Sequence, residues 1–298
     1  MTSSSPAGAD PLAAQPRALI VTIYGLYGRE VGGWLSIAAL IRLLAELGVE
    51  EPAVRSAISR LKQRGLVEPR RVEGAAGYGL SDRGRKILEQ GDRRIFRRPA
   101  GAARGSGDWL LAVFSVPEQE RARRHALRTR LAWLGFGTVA SGVWIAPAQL
   151  AAEAEDVLAA DGLAGYVSLF TAGYLAFGDV ASKVGQWWDL GRLEELYQAF
   201  TAAAGPVRDR WQAGAGPTDQ AGAAAWAAGR QQGAAFADYV RVVTAWRRLP
   251  FLDPGLPPEL LPPGWHGATA AELFLDLHNR LASAARQHVL AVAGQPPA

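Results

Sequence analysis

The stretch VEEPAVRSAISRLKQRGLVEPRR, residues 49–71, joins an amphipathic helix, an abrupt stop and a basic segment. Val54, Ala57, Ile58 and Leu61 fall at i, i+3, i+4 and i+7, which puts them on one buried helix face. Pro52 is tolerated only in a first turn, and Gly65 stands where a left-handed cap belongs. The helix is therefore expected from about Glu51 to Arg64, with Glu50 as a poor N-cap. At about 100° per residue, the opposite face carries Pro52, Ser56, Ser59 and Gln63, with Arg55, Arg60 and Lys62 on its shoulders. Short hydroxyl side chains flanked by cations suit a helix pressed into a groove of DNA. The hydroxyls allow close approach while guanidinium groups reach base edges or phosphates. A solvated helix face is the alternative reading.

The neighbours extend the pattern. SIAALIRLLAEL, residues 36–47, reads as a second helix capped by Ser36, with Ile37, Leu40, Ile41, Leu44 and Leu47 as its apolar stripe and Gly48 as its end. Helix, short turn and helix is the helix-turn-helix order, in which the second helix enters the major groove. LVEPRRVEGAAGYGL then gives two extended stretches around a turn at Gly74-Ala75-Ala76-Gly77, and Ser81 caps a further helix through DRGRKILEQGDRRIF. A hairpin in that place is a wing. Arg70 and Arg71 on its first strand are expected to face phosphates, and Tyr78 is assigned either to the core or to DNA. RALIVTIYGLYG, from Arg17, is expected to be a first helix that packs behind them.

Charge separates the two readings of the exposed face. Residues 17–98 hold 16 Lys and Arg against 9 Asp and Glu, whereas residues 99–298 hold 16 against 18. The basicity belongs to the N-terminal third, as expected of a module that binds a polyanion. The composition excludes other classes: with no cysteine in 298 residues, disulfides, thiolate metal sites and cysteine nucleophiles are ruled out. The opening MTSSSPAGADPLAAQPR lacks the basic and apolar regions of a signal peptide, and no apolar run reaches the length of a membrane span. A disordered tail over 1–16 and a cytoplasmic location are expected.

RRPAGAARGSGD, residues 97–108, is a linker by composition, and a softer break falls at GDVASK, residues 178–183. Between them the order is strand (WLLAVFSV), helix (EQERARRHALRTRLAWL, apolar at Ala122, Ala126, Leu127, Leu131 and Leu134), two strands around Ser141-Gly142, helix (AQLAAEAEDVLAADG) and strand (AGYVSLFTA). That β-α-β-β-α-β order is a ferredoxin-like unit. Its first helix carries Arg121, Arg123, Arg124, Arg128 and Arg130, read either as a solvated face or as an auxiliary contact with DNA or a ligand phosphate. From about residue 182 the chain is helical and aromatic-rich. Trp187, Trp188, Tyr197, Phe200, Trp246 and Phe251 are read as core, with an aromatic pocket as the alternative. The expected fold class is α+β: an N-terminal winged helix-turn-helix domain over 17–98, a ferredoxin-like domain over 107–180 and a helical domain over 181–298.

RALIVTIYGLYGRE, WLSIAALIRLLAELGVEEPAVRSAISRLKQRGLVEPRR, WLGFG, SGVWIAP and RRLPFLDPGLPPELLPPGWHG, in that order, resemble the PaaX family of bacterial transcriptional repressors. The resemblance implies a central domain similar to that of Cas2 proteins. It also implies a homodimer on double-stranded operator DNA, repressing aromatic-acid (phenylacetate-type) catabolic genes and released by an aryl-acyl-CoA thioester. A regulator of another pathway with another small-molecule effector is the alternative. Carried onto this chain, the DNA contacts fall on Arg55, Ser56, Ser59 and Arg60, with Lys62, Gln63, Arg70 and Arg71 beside them. Trp187, Trp188 and Arg247 are effector candidates by aromatic and cationic character alone. No catalytic residue, metal ligand or resident cofactor is expected. A Cas2-like nuclease needs an acidic ligand at the end of the first central strand, and Ser115 stands there. His125, His266, His278 and His288 are too scattered for a metal motif and are expected as surface or capping residues.

Overall fold

The helix expected at the centre of the opening stretch runs from Glu51 to Gln63 in the computed structural model, which describes residues 12, 14–96, 108–175, 177–213 and 224–294. Most of the expected tail 1–16, and the expected linker 97–108 except Asp108, lie outside the described residues. The chain divides into two compact units, one of Met1–Phe96, Gln198–Arg247 and Thr269–Ala298, the other of Arg97–Tyr197 and Arg248–Ala268.

In the first unit, α1 (Pro16–Tyr27) is the central packing helix, burying Leu19, Ile20, Ile23, Tyr24 and Tyr27. A short strand β1 (Trp34–Ser36) leads into α2 (Ile37–Ala45) and α3 (Glu51–Gln63). The Ser36 hydroxyl accepts from the Ala39 amide at 3.0 Å, the cap expected from the sequence. Burial on α2 falls on Ala39, Leu40, Leu43, Leu44 and Leu47, whereas Ile37 and Ile41 are half-buried at the rim. The expected stripe is thus corrected by about a sixth of a turn, toward Ala39 and Leu43, on a helix packed between α1 and α3. Each leucine fully withdrawn from water there contributes about 1.5–3 kcal/mol.

After α3 come β2 (Val67–Val72), β3 (Ala75–Leu80) and α4 (Asp82–Ile95). The three strands form an antiparallel sheet in the order β1-β3-β2. The turn is Glu73–Gly74, both at positive φ (49° and 83°), a two-residue loop that matches the twist of the strands it joins. Ala75, Ala76 and Gly77, expected in the turn, are strand residues paired with Val72, Arg71 and Arg70. Ser81 caps α4, accepting from the Gly84 amide at 3.0 Å and donating to the Gly65 carbonyl at 2.6 Å. One hydroxyl thereby fastens the end of α3 to the start of α4. A Ser81→Ala variant is expected to lose about 1–2 kcal/mol, read as a lower thermal midpoint with unchanged secondary structure.

The remaining helices of this unit are the residues of α8 (Leu190–Gln212) from Gln198 onward, α9 (Ala224–Trp246) and α11 (Gly267–Ala293) from Thr269 onward. Phe236 of α9 meets Tyr27 at a ring separation of 6.2 Å, and Thr244 donates to Thr22 at 2.8 Å in the buried interior. Trp246 stacks on Phe274 at 4.8 Å and donates to the Ile95 carbonyl at 3.0 Å. His288 bonds Glu46 at 2.8 Å, and the Tyr239 hydroxyl meets His278 Nδ1 at 2.6 Å. These two histidines are packed, half-buried side chains rather than the surface or capping residues expected; their helix periodicity places them beside Phe236 and Phe274. Burial holds the His278 imidazole below its ordinary value of 6.5. The unfolded chain takes up a proton that the folded chain excludes. Stability is therefore full above about pH 6.5 and declines as pH falls below it, and a His278→Gln variant should flatten that decline in melting curves between about pH 7.5 and about pH 5.5.

The second unit contains β4 (Trp109–Phe114), α5 (Arg121–Trp133), β5 (Gly137–Ala140), β6 (Val143–Pro147), α6 (Ala151–Ala160) and β7 (Val167–Ala172). This is the expected β-α-β-β-α-β order, with an antiparallel sheet ordered β5-β6-β4-β7. One sheet face packs Leu110, Ala112, Trp144 and Ala146 against Leu127, Leu131 and Leu134 of α5 and its C-cap, and against Ala154, Val157 and Leu158 of α6. Ala122 and Ala126, counted among the apolar positions of α5, are exposed. The other face carries Trp109 and Ile145 under α7 (Val180–Trp187) and Trp188, with Leu256 of the Pro-rich connection. Short α10 (Leu249–Leu252) sets Phe251 against Trp133 at 5.2 Å.

Candidate nucleic-acid interface

The exposed face of α3 is built by its buried one. With Val54, Ala57, Ile58 and Leu61 fixed against the first unit's core, Ser56, Ser59 and Gln63 point to solvent in a row, with Arg60 on one shoulder and Arg55 and Lys62 on the other; all six are exposed. The turn before α3 closes through Val49, whose amide donates to the Leu44 carbonyl at 2.9 Å, with Gly48 at φ 76°. The turn after it closes through Leu66, which donates to the Leu61 carbonyl at 3.0 Å, with Gly65 at φ 65°. Helical positions are thus locked at both ends, as presentation of side chains to a rigid groove requires.

Arg55 is bridged within its own helix to Glu51, with nitrogens 2.6 and 2.7 Å from one carboxylate oxygen. Both partners are more than half exposed, so the pair contributes little and yields readily to a phosphate. Arg60 and Lys62 have no ion pair among the described residues. Glu50 caps the backbone without a side-chain bond, as its chemistry predicts.

In the hairpin, Arg70 and Arg71 are both exposed, but as neighbours on one strand they project to opposite faces. The two arginines expected to face phosphates are thus presented on different faces of the hairpin. Arg70 shares its face with Trp34, whose indole donates to the Arg70 carbonyl at 3.1 Å. Trp34 and its strand were not read from the sequence; the signal was Gly77 and Gly79, small residues paired with Ser36 and Trp34. Tyr78 is half-buried, and its carbonyl accepts from the Tyr24 hydroxyl at 2.7 Å, which ties the hairpin to α1.

The effector candidates lie in different units. Trp188 is buried in the second unit, stacked on Trp109 and donating to the Gly135 carbonyl at 2.9 Å, and Trp187 meets Trp109 edge-on. Arg247 belongs to the first unit, where its guanidinium donates to the Ala18 carbonyl at 3.4 Å. Tyr197, Phe200 and Trp246 are buried in the cores of their own units, in line with the core reading of these aromatics. Ser115 is exposed at the end of β4, and among the described residues no three histidine or carboxylate side chains gather as a metal site. No helix among them is long and apolar enough to cross a membrane.

Three family models match in chain order: PaaX-like protein over residues 15–84, PaaX protein central Cas2-like domain over 102–184, and PaaX-like protein C-terminal domain over 188–291. Among curated proteins, the Transcriptional repressor PaaX of Escherichia coli (strain K12) is 28% identical over 270 residues, covering 90% of this chain and 80% of that protein. Among solved structures, the uncharacterized protein Rv0674 from Mycobacterium tuberculosis is similar at a TM-score of 0.58 and 27% identity, covering 93% of this chain and 98% of that one. With the central match falling on the β4–β7 unit and the first on the helices and hairpin around α3, the chain belongs to the PaaX family.

Proposed function

We propose that this protein is a cytoplasmic, homodimeric transcriptional repressor that binds operator DNA through a winged helix-turn-helix and is released by an aryl-acyl-CoA thioester. The observation that carries the reading is α3 itself: a helix locked at both turns, presenting two serines, a glutamine, Arg55, Arg60 and Lys62 to solvent from the most basic part of the chain. In this reading α3 enters the major groove, where Arg60 reads a base edge and the serines permit close approach. The β2–β3 hairpin is the wing, contributing one of its two arginines to phosphate. The curated relative's name supports repression, and the family is one of regulators rather than enzymes.

Release by a thioester such as phenylacetyl-CoA, and hence control of aromatic-acid catabolic genes, is the finer part of the proposal. A dimer binds two half-sites at fixed spacing, so a ligand preferring a differently spaced dimer lowers affinity without touching DNA. The test is a titration of the purified chain on the duplex upstream of its own gene, with and without phenylacetyl-CoA. Binding that the thioester reverses supports both parts. Binding that it leaves unchanged removes the proposed effector, and absence of binding removes this operator.

A further inference from the structure

We infer that the exposed face of α5 is a second contact surface for the phosphate backbone of double-stranded DNA. The inference rests on DNA as the partner proposed above but concerns a different unit of the chain. Helix α5, RARRHALRTRLAW, holds five arginines and a histidine and no carboxylate, inside the part of the sequence, residues 99–298, where acidic residues otherwise outnumber basic ones. Such a concentration of one sign on one element is an electrostatic footprint rather than an average surface.

The arginines divide by what they do. Arg124 is pinned by Glu118 at 2.9 Å and the Val116 carbonyl at 2.7 Å, and Arg130 by Asp161 at 2.5 Å while lying over the Trp133 ring. These two brace the helix against its own unit. Arg121 and Arg128 are exposed and have no ion pair among the described residues. With His125 and Ala132 they fall at i, i+4, i+7 and i+11, one helix face, where a shallow hollow is lined by Arg121, Arg124, His125, Arg128, Thr129 and Ala132. Ala132 and Thr129 are small enough to leave the floor low between the cationic side chains.

The shape selects the partner. Among the described residues the hollow is lined by a single helix with no opposite wall, so they do not enclose a small phosphate ester as ligand pockets do. It can lie against an extended polyanion. Arg121 and Arg128 are about 10.5 Å apart along the helix axis, far enough for the two guanidinium groups to reach separate phosphates of an extended backbone, with His125 and Thr129 between them. Contacts of this kind are indifferent to base sequence.

The experiment compares the full-length chain with an Arg121→Gln/Arg128→Gln variant on a duplex of arbitrary sequence, measuring affinity from about 50 to about 200 mM salt. A Lys183→Gln/Arg192→Gln variant removes the same charge from positions of the same unit outside α5, Lys183 lying on α7 against the other sheet face. Losing two phosphate contacts lowers the slope of log affinity against log salt by about 1.8, and that loss is expected for the α5 variant while the control keeps the parent slope. Equal slopes in all three proteins overturn the inference, as do equal losses in both variants, which reflect overall charge alone. A parent chain that binds no duplex overturns this inference together with the proposed function. A parent that binds while the α5 variant is unchanged overturns this one only. Polyglutamate serves as a second probe: if the α5 variant loses affinity for it but not for DNA, the surface receives an acidic protein and the inference fails.

Discussion

A Gly77→Ala variant is expected to melt well below the parent protein and to lose DNA binding with the hairpin. A Cβ at this position would lie 2.3 Å from the Leu35 carbonyl oxygen and 2.6 Å from two ring carbons of Trp34. The indole has some freedom, but the carbonyl belongs to β1, whose register against β3 sets Leu35 opposite Tyr78 and Ser36 opposite Gly77. Making room means separating two strands of a three-stranded sheet. Overpacking of that kind costs about 3 kcal/mol, and on a chain of this length each kcal/mol lowers the melting point by roughly 2–4 °C. Gly74→Asn is the matching control: Gly74 has φ 83° in the same hairpin, but nothing lies within 4 Å of an added Cβ, and asparagine tolerates that backbone region. Calorimetry should show a large loss for the first variant and a small one for the second. Similar losses in both would mean that the Trp34 contact does not hold the sheet.

Arg60→Ala is expected to weaken binding to the operator by about 1–3 kcal/mol, roughly a 5- to 150-fold loss, and to relax preference at one base position. The shoulder position of Arg60, its exposure and its lack of an ion pair among the described residues make it the side chain most available to a base edge. Lys62→Ala should behave differently. An ammonium on the other shoulder suits a phosphate, so its loss weakens binding to all sequences alike and lowers the salt slope by about 0.9. Arg55→Ala falls between the two, because its guanidinium must leave Glu51 before it can reach DNA. Competition between specific and arbitrary duplexes separates the three outcomes. If Arg60→Ala lowers affinity for every sequence equally, Arg60 is a phosphate contact and another residue reads the base.

The legible parts of this fold are those that local rules decide. The boundaries of α3 came from Pro52 and Gly65, its buried face from four apolar positions, and its exposed face followed by subtraction. The caps Ser36 and Ser81 were readable because their hydroxyls bond amides three residues ahead, a purely local geometry. What was not legible depends on partners distant in sequence. The rim position of Ile37 and Ile41 is set by how α1 and α3 close on α2, and no periodicity within twelve residues contains that information. Strand β1 is three residues long and shows no alternation, so only the two glycines opposite it carried a trace. The turn was misplaced because Ala75, Ala76 and Gly77 look like loop by composition, whereas the positive φ of Glu73 and Gly74 is what turns the chain. The sharing of one unit by α1, α9 and α11 rests on contacts such as Thr22 with Thr244, 222 residues apart.

For the candidate site the same division holds. The exposure of the row on α3 is legible from its periodicity, while the opposite-facing arginines of the hairpin need the register of β2 on β3. The aromatic residues near 187 and 246 illustrate the limit: helical spacing cannot distinguish a core from a pocket, and the indole of Trp188 is committed to the Gly135 carbonyl.

The central claim is that α3 reads DNA sequence, and selection of bound duplexes from a random-sequence pool tests it most directly. The account predicts enrichment of an inverted repeat whose half-sites lie one helical turn, or a multiple of it, apart, with one position of each half-site relaxed when the selection is repeated with Arg60→Ala. A pool recovered without an enriched motif, or a motif unchanged by that substitution and by Ser56→Ala and Ser59→Ala, would contradict it.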